Sequence, residues 1–252
     1  MNHRPTFVRF LGAALLLVLL GVPVARAQNP NPAVYEPLIV PISVQGVHGA
    51  FGSSWSTELW YRNNSSTPVQ IFPVSVSDWV PARNATSFLP ILSAPSYDPG
   101  VLLYMTRAGA EHIQFDLRLF NTSDPSASWG TKLPVAREHD FVPRIDLINV
   151  PTDPQFRTAL RIYALPEGAP ADTRVRVEVR SLAEELLAST ETVLTGTPLY
   201  AQILSLTDDA SLSRRFDRVN VRVQPADPAL KIWAFISVTA NATQHVAIVT
   251  PD

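Results

Sequence analysis

The feature that most constrains the fold is the alternation of apolar and polar residues in short runs separated by prolines. Every second residue of Ile113–Leu119 is apolar, and Thr173–Arg180 and Val219–Val223 repeat the pattern. A period of two places one face of a β-strand on a core and the other in water, whereas a helix would need a period of about 3.6. The 23 prolines disfavour long helices and suit strands joined by turns.

Further short apolar runs predict additional strands. They cover Leu38–Val44, Thr57–Arg62, Val69–Val76, Val101–Thr106, Ile145–Asn149, Thr158–Ala164, Leu199–Leu206 and Lys231–Thr239. Many short strands at this spacing are typical of β-sandwiches and barrels. Residues 181–188 combine good helix formers but also fit a hairpin that turns near Glu184. We favour the hairpin, because strand-like runs lie on both sides.

Three segments recur along the chain after a nearly constant offset. Residues 55–62 align with 156–163, residues 115–119 align with 219–223, and Trp129 aligns with Trp233. The offset is 101 positions for the first pair and 104 for the other two. A constant offset indicates tandem copies of one unit. It predicts two antiparallel, immunoglobulin-like β-sandwich domains, at residues 28–142 and 143–252, with a boundary near Phe141–Pro143.

The first 27 residues have the composition of a cleaved secretion signal. Arg4 and Arg9 precede the apolar run Leu11–Leu20, and Ala25-Arg26-Ala27 supplies the small-x-small sequence that a signal peptidase reads. An uncleaved anchor is the alternative, but the apolar run is shorter than the roughly 20 residues of a membrane-spanning helix. We therefore expect a signal peptide at residues 1–27 and a secreted or periplasmic product without a transmembrane span.

Charge and cysteine content argue against several classes of partner and cofactor. The chain has a formal net charge of −2, and removal of the first 27 residues, which hold three arginines and no acid, makes it more acidic. It therefore lacks the basic footprint of a nucleic-acid-binding protein. The absence of cysteine rules out disulfides and a cysteine-linked lipid anchor. We expect no cofactor, no metal and no nucleic-acid partner.

No catalytic or metal-ligating motif is recognisable in the sequence. Glu138-His139-Asp140 is the most suggestive cluster, but adjacent residues of an extended chain point to opposite sides and do not converge on one ion. A polar loop leaving a strand is the simpler interpretation. The acidic residues Glu58, Asp116 and Glu178 fall on predicted solvent faces. We expect no enzymatic activity, and a secreted hydrolase that uses His112 or His139 in a spatially assembled site is one alternative.

The first unit opens with Gly49-Ala50-Phe51-Gly52-Ser53-Ser54-Trp55-Ser56-Thr57-Glu58-Leu59-Trp60, and the second unit contains the apolar segments Phe156–Leu160 and Ile232–Thr239. With these segments the chain resembles a class of exported bacterial tandem β-sandwich modules that has no established activity. The resemblance implies an exported pair of sandwiches and says little about function. Thr67-Pro68-Val69-Gln70, which precedes Asp78-Trp79, is loosely similar to the second-strand region of periplasmic pilus-assembly chaperones, which also combine a signal peptide with two immunoglobulin-like domains. For that second alternative, Arg144 would be the candidate for a basic cleft between the domains.

Export, fold class and the lack of catalytic motifs predict a non-enzymatic extracytoplasmic binding or structural protein. Its expected partner is a protein or a glycan at the cell envelope. Exposed aromatic side chains in loops can anchor such a partner, and Phe51, Trp55 and Trp79 are the candidates. The alternative is that these aromatic residues close the ends of a sandwich.

Overall fold

The computed structural model describes residues 31–72, 79–83, 87–88, 96–124, 129–206 and 210–251. Its regular structure is nearly all β, arranged in antiparallel sheets, and this confirms the predicted all-β sandwich class. The helices are single turns, α1 (Arg107–Ala110) and α2 (Ala210–Ser213). None of the helices in these ranges has the length and apolar character that a membrane crossing requires. The predicted signal peptide lies outside the described residues.

Twelve strands of the described residues precede residue 138. They are β1 (Tyr35–Val40), β2 (Ser43–Gln45), β3 (Val47–His48), β4 (Ser54–Asn63), β5 (Val69–Phe72), β6 (Trp79–Val80), β7 (Ser87–Phe88), β8 (Ser96–Asp98), β9 (Val101–Thr106), β10 (Ile113–Asn121), β11 (Thr131–Leu133) and β12 (Ala136–Arg137). One sheet has the order β12-β1-β9-β5-β6, and a second has the order β11-β10-β4-β3, with β7 also paired to β4. Strands β2 and β8 form a separate ribbon. Short 3-10 turns occupy Ala50–Gly52 and Glu138–Asp140.

Eight strands follow, and the predicted boundary near residues 141–143 falls between β12 and the first of them. They are β13 (Ile145–Pro151), β14 (Phe156–Ala164), β15 (Arg174–Arg180), β16 (Leu186–Val193), β17 (Leu199–Leu204), β18 (Arg218–Pro225), β19 (Ile232–Ala240) and β20 (Val246–Val249). They form two four-stranded sheets with the orders β13-β18-β15-β16 and β17-β14-β19-β20. The prediction of β9 matches its bounds, whereas residues 73–76 of the predicted strand Val69–Val76 lie outside the described residues.

Strand β19 explains how the two halves of the chain pack together. Ile232, Ala234 and Ile236 belong to the core of the second half, whereas Trp233 and Phe235, on the other face of the strand, belong to the core of the first half. The strand is therefore buried on both faces, which is why its sequence is an almost continuous apolar run without alternation. The sheet β17-β14-β19-β20 thus contributes side chains to the cores of both halves.

A tyrosine completes this junction. Tyr163, on β14, is fully buried, and its hydroxyl shares its one proton between the carbonyl oxygens of Pro41 and Pro99 in the first half, the latter at 2.7 Å. Its ring stacks parallel to Phe235 at a centroid separation of 6.5 Å and lies 5.7 Å from Trp233. Apolar burial and directional hydrogen bonds therefore act on the same interface.

The pairing of strands corrects part of the internal alignment. Strand β4 pairs with β10, and its aligned counterpart β14 pairs with β19, not with β18. The alignment of residues 115–119 with 219–223 therefore equates strands with different sheet neighbours, and the alignment of Trp129 with Trp233 equates an exposed turn residue with a buried strand residue. Both alignments are wrong, because any two alternating strands match by periodicity alone.

Two local expectations have different outcomes. The chain turns at residues 181–185 with Glu184 at φ 65°, and β15 and β16 pair on either side, which confirms the hairpin. Glu178 is not on an open solvent face, since it is only 8% exposed. Its carboxylate accepts hydrogen bonds from the guanidinium of Arg180, the shorter at 2.7 Å, and this pairing offsets the cost of burial.

Candidate functional site: the outer face of β4, β10 and β11

The strand register collects a mixed aromatic and charged set on one face of the first half. Directly opposed pairs across β4 and β10 are Trp60 with Asp116, Glu58 with Arg118, and Ser56 with Phe120, and Lys132 on β11 lies opposite Arg118. Leu59 and Leu117, at the intervening positions, are buried in the core. Side chains alternate along a strand, so the first set projects from the outer face of the sheet.

This outer face is concave. It forms a trough of about 1140 Å³, lined by the paired residues above together with Trp129 from the turn between β10 and β11. We call it the β4–β10 trough. Pockets for small molecules usually enclose about 300–1,000 Å³. A larger, open trough suits an extended ligand that lies across several strands.

Two indole rings are accessible in the trough. Trp60 is 38% exposed and Trp129 is 74% exposed. The Nε1 of Trp60 donates a hydrogen bond to Glu58 Oε2 at 3.3 Å, and the guanidinium carbon of Arg118 lies 4.4 Å from the centre of the Trp129 ring. The Arg118 Nη1 also donates to the Trp129 carbonyl at 3.1 Å. These contacts orient both rings while leaving apolar surface for a ligand.

The turn that carries Trp129 depends on a glycine. Gly130 has a φ of +66°, and a Cβ there would lie 2.8 Å from both the Leu119 carbonyl oxygen and the Phe120 ring. A side chain at this position would therefore be strained and would push against the floor of the trough. The close approach of Gly130 to β10 fixes where the neighbouring indole ring stands.

A carboxylate oxygen in the trough lacks a partner. Arg118 Nε donates to Asp116 Oδ2 at 3.0 Å, while Asp116 Oδ1 is shielded from solvent and accepts no hydrogen bond among the described residues. A buried acceptor without a donor costs about 1–3 kcal/mol. A ligand hydroxyl or N–H group that reached this oxygen would remove that cost.

The charges that line the trough balance. Three of its lining residues are acidic and three are basic: Glu58, Asp116 and Asp124, and Arg62, Arg118 and Lys132. The trough therefore presents hydrogen-bonding groups of both kinds on a surface without a net charge. Such a surface does not select strongly for an anionic or a cationic ligand.

The structure places two of the sequence-predicted aromatic residues, Phe51 and Trp55, outside this trough. Trp55 is half-buried against the core, and its Nε1 donates to Ser53 Oγ at 2.9 Å, as expected for a residue that closes a sandwich. Phe51 is 72% exposed at a positive φ of 56°, and its ring centre lies 5.0 Å from the guanidinium carbon of Arg157 in the second half. The side chain of Trp79 lies outside the described part of the chain. Ligand binding by these three residues stays a prediction.

Sequence reasoning does not single out Trp60 and Trp129 as candidate ligand contacts. The alternation along β4 could have identified Trp60, because Trp60 lies two residues from Glu58 and therefore on the same, outer face of the strand. Asp116 lies opposite Trp60 on β10, also on the outer face. For Trp129 no such signal exists, because its position depends on the turn after β10. The expectation that Glu58 and Asp116 lie on the outer face agrees with the structure.

The two histidines proposed for catalysis, His112 and His139, lie beside neighbouring acids. His139 Nε2 lies 3.4 Å from Asp140, and His112 Nε2 lies 3.4 Å from Glu111. No hydrogen bond among the described residues joins either imidazole to a serine or threonine hydroxyl. The same part of the chain contains no group of three or more histidine, cysteine or acidic residues that could hold a metal ion. Neither histidine therefore gives geometric support to the hydrolase alternative.

Arg144, the candidate for a basic cleft, is paired with an acid. Its Nε lies 3.2 Å from Asp146 Oδ2, and Arg222 Nε donates to the other oxygen of the same carboxylate at 2.6 Å. This pairing gives no support to a cationic cleft of the chaperone type at this position.

Comparisons of the chain with protein-family models, curated proteins and solved structures found no match.

Proposed function

We propose that the protein is a non-enzymatic, extracytoplasmic binding protein that engages a glycan through the β4–β10 trough. The observation that supports the proposal is the combination, on one concave face, of two accessible indole rings with a carboxylate oxygen that has no donor among the described residues. Export is supported by the composition of residues 1–27.

A sugar matches this face by its chemistry. One side of a pyranose ring presents C–H groups, which pack on the face of an indole, and its edge presents hydroxyls, which both donate and accept hydrogen bonds. Asp116 and Glu58 provide acceptors, and Arg118 and Lys132 provide donors. The charge balance of the trough favours a neutral glycan over a strongly anionic one.

The test is a glycan array followed by calorimetry, with the chain from residue 28 onwards. Trp60→Ala and Trp129→Ala should each weaken binding about tenfold, since one aromatic contact contributes about 0.5–1.5 kcal/mol beyond its buried area. Leu182→Ala is the control, because Leu182 is an exposed large apolar residue outside the trough. It should leave binding unchanged.

Asp116→Asn tests the hydrogen-bonding part of the proposal. The amide keeps one acceptor oxygen but loses the charge that pairs with Arg118, so we expect weaker glycan binding with little change in fold. Glycan binding that survives both tryptophan substitutions, or a ligand captured from cell-envelope extract that proves to be a protein, would contradict the proposal.

A further inference from the structure

A second and smaller cavity lies between the two halves of the chain. It has a volume of about 250 Å³. Its lining comes from β1 and β9 of the first half, from the loop after β14 and from the segment before β19. Its walls are mainly apolar or aromatic, with Pro37, Phe141 and Leu165 among them. The volume is below the range of about 300–1,000 Å³ for drug-sized ligands, so it suits a group of a few heavy atoms.

One of the two carboxylate oxygens of Glu167, in the lining of this cavity, accepts a hydrogen bond. Tyr104 is only 7% exposed, and its hydroxyl donates to Glu167 Oε1 at 2.7 Å. Burial, together with this hydrogen bond to Glu167, raises the pKa of Tyr104 above its usual 10.0, so the phenol stays protonated and remains a donor. The carboxylate of Glu167 therefore has a fixed position.

The other oxygen of this carboxylate has no partner. Glu167 Oε2 is shielded from solvent and accepts no hydrogen bond in the described part of the chain. No ion pair of the described residues includes Glu167, whereas Glu138, the other acid of the lining, is paired with Arg107 at 2.6 Å. Glu167 itself is half-buried, but a carboxylate oxygen that is shielded from solvent is ordinarily paired with a donor, so this oxygen is the acceptor that a ligand N–H group would satisfy.

We propose that this cavity binds a primary alkylammonium group, whose N–H groups donate to Glu167 Oε2 and whose carbon chain packs against Pro37, Phe141 and Leu165. A cation is favoured over a neutral donor because the Glu167 carboxylate forms no ion pair with a cationic side chain among the described residues. The site is separate from the β4–β10 trough, with which it shares no lining residue.

Lys231 offers an internal alternative. It is the basic residue of the cavity lining, it is exposed at the rim, and its ammonium could turn inward and take the place of a ligand. The alternative makes a distinct prediction. If Lys231 occupied the site, external amines would bind only after its removal.

The experiment titrates the chain with n-butylammonium chloride and follows it by calorimetry and by amide chemical shifts in the loop after β14. n-Butanol, which has a similar shape and no charge, is the matched ligand control. We expect the ammonium to bind at least tenfold more tightly than the alcohol and Glu167→Gln to abolish this difference. Glu185→Gln, at an exposed acid outside the cavity, should leave it intact.

Lys231→Met should leave n-butylammonium binding equal or tighter. Binding to Lys231→Met but not to the unchanged chain would overturn the proposal, as would equal binding by the unchanged chain and Glu167→Gln. Nα-acetyl-lysine amide, titrated alongside, shows whether the ammonium can come from a peptide or only from a free amine. Trp60→Ala should not alter this binding, so failure at this site and failure of glycan binding can be told apart.

Discussion

Replacing Tyr163 by phenylalanine tests how the two halves are held together. The substitution keeps the ring among Phe235 and Trp233 and removes only the hydroxyl that donates to the carbonyls of Pro41 and Pro99. Because Tyr163 and Pro41 are both buried, water cannot replace the lost donor at the Pro41 carbonyl, whereas Pro99 is half-buried. We expect the free energy of unfolding to fall by about 1–3 kcal/mol, the cost of leaving buried acceptors unpaired.

Tyr200→Phe is the matched control for this substitution. Its ring lies 5.2 Å from that of Tyr163, but its hydroxyl donates to Gln202 Oε1 on a half-exposed surface, where water can substitute. We expect a loss below about 1 kcal/mol. Urea unfolding followed by tryptophan fluorescence measures both, with a lower midpoint and an unchanged slope expected for Tyr163→Phe. Equal midpoints for the two variants would refute the reasoning.

Three further predictions concern the core and its pH response. Phe235→Ala should lower the free energy of unfolding by about 3–5 kcal/mol, because it leaves a cavity in a fully buried cluster, and thermal unfolding would show it. Gly109→Ala should lower the free energy of unfolding by about 1–3 kcal/mol, because the new Cβ would lie 2.4 Å from Val69 Cγ2. Equal urea midpoints for this variant and the parent would contradict this prediction. Burial and the hydrogen bond to Glu167 raise the pKa of Tyr104 above 10.0, so the unfolded chain releases this proton at lower pH than the folded one. Stability should therefore fall as the pH rises above 10, and Tyr104→Phe should show a smaller fall in urea titrations at about pH 9 and 11.

Local patterns in the sequence predicted most of the strands. The alternation in Ile113–Leu119 and Val219–Val223 identified β10 and β18, and the run Val101–Thr106 identified β9. The hairpin at Glu184 followed from strand-like runs on either side of a short segment. These strand predictions succeeded because the period of side-chain exposure is a property of each strand by itself.

Sheet membership and the candidate sites were decided by tertiary structure. Periodicity shows which residues share a face but does not identify the neighbouring strand, so β10 was aligned with β18 although its pairing resembles that of β19. Trp129 reaches the trough only through a turn closed by Gly130, and Glu167 meets Tyr104 only because the two halves pack together. The sequence by itself determined that the chain forms strands and which faces are apolar. Which faces meet, and which polar atoms remain without partners, depends on contacts between residues far apart in the chain, and only the tertiary structure decided these.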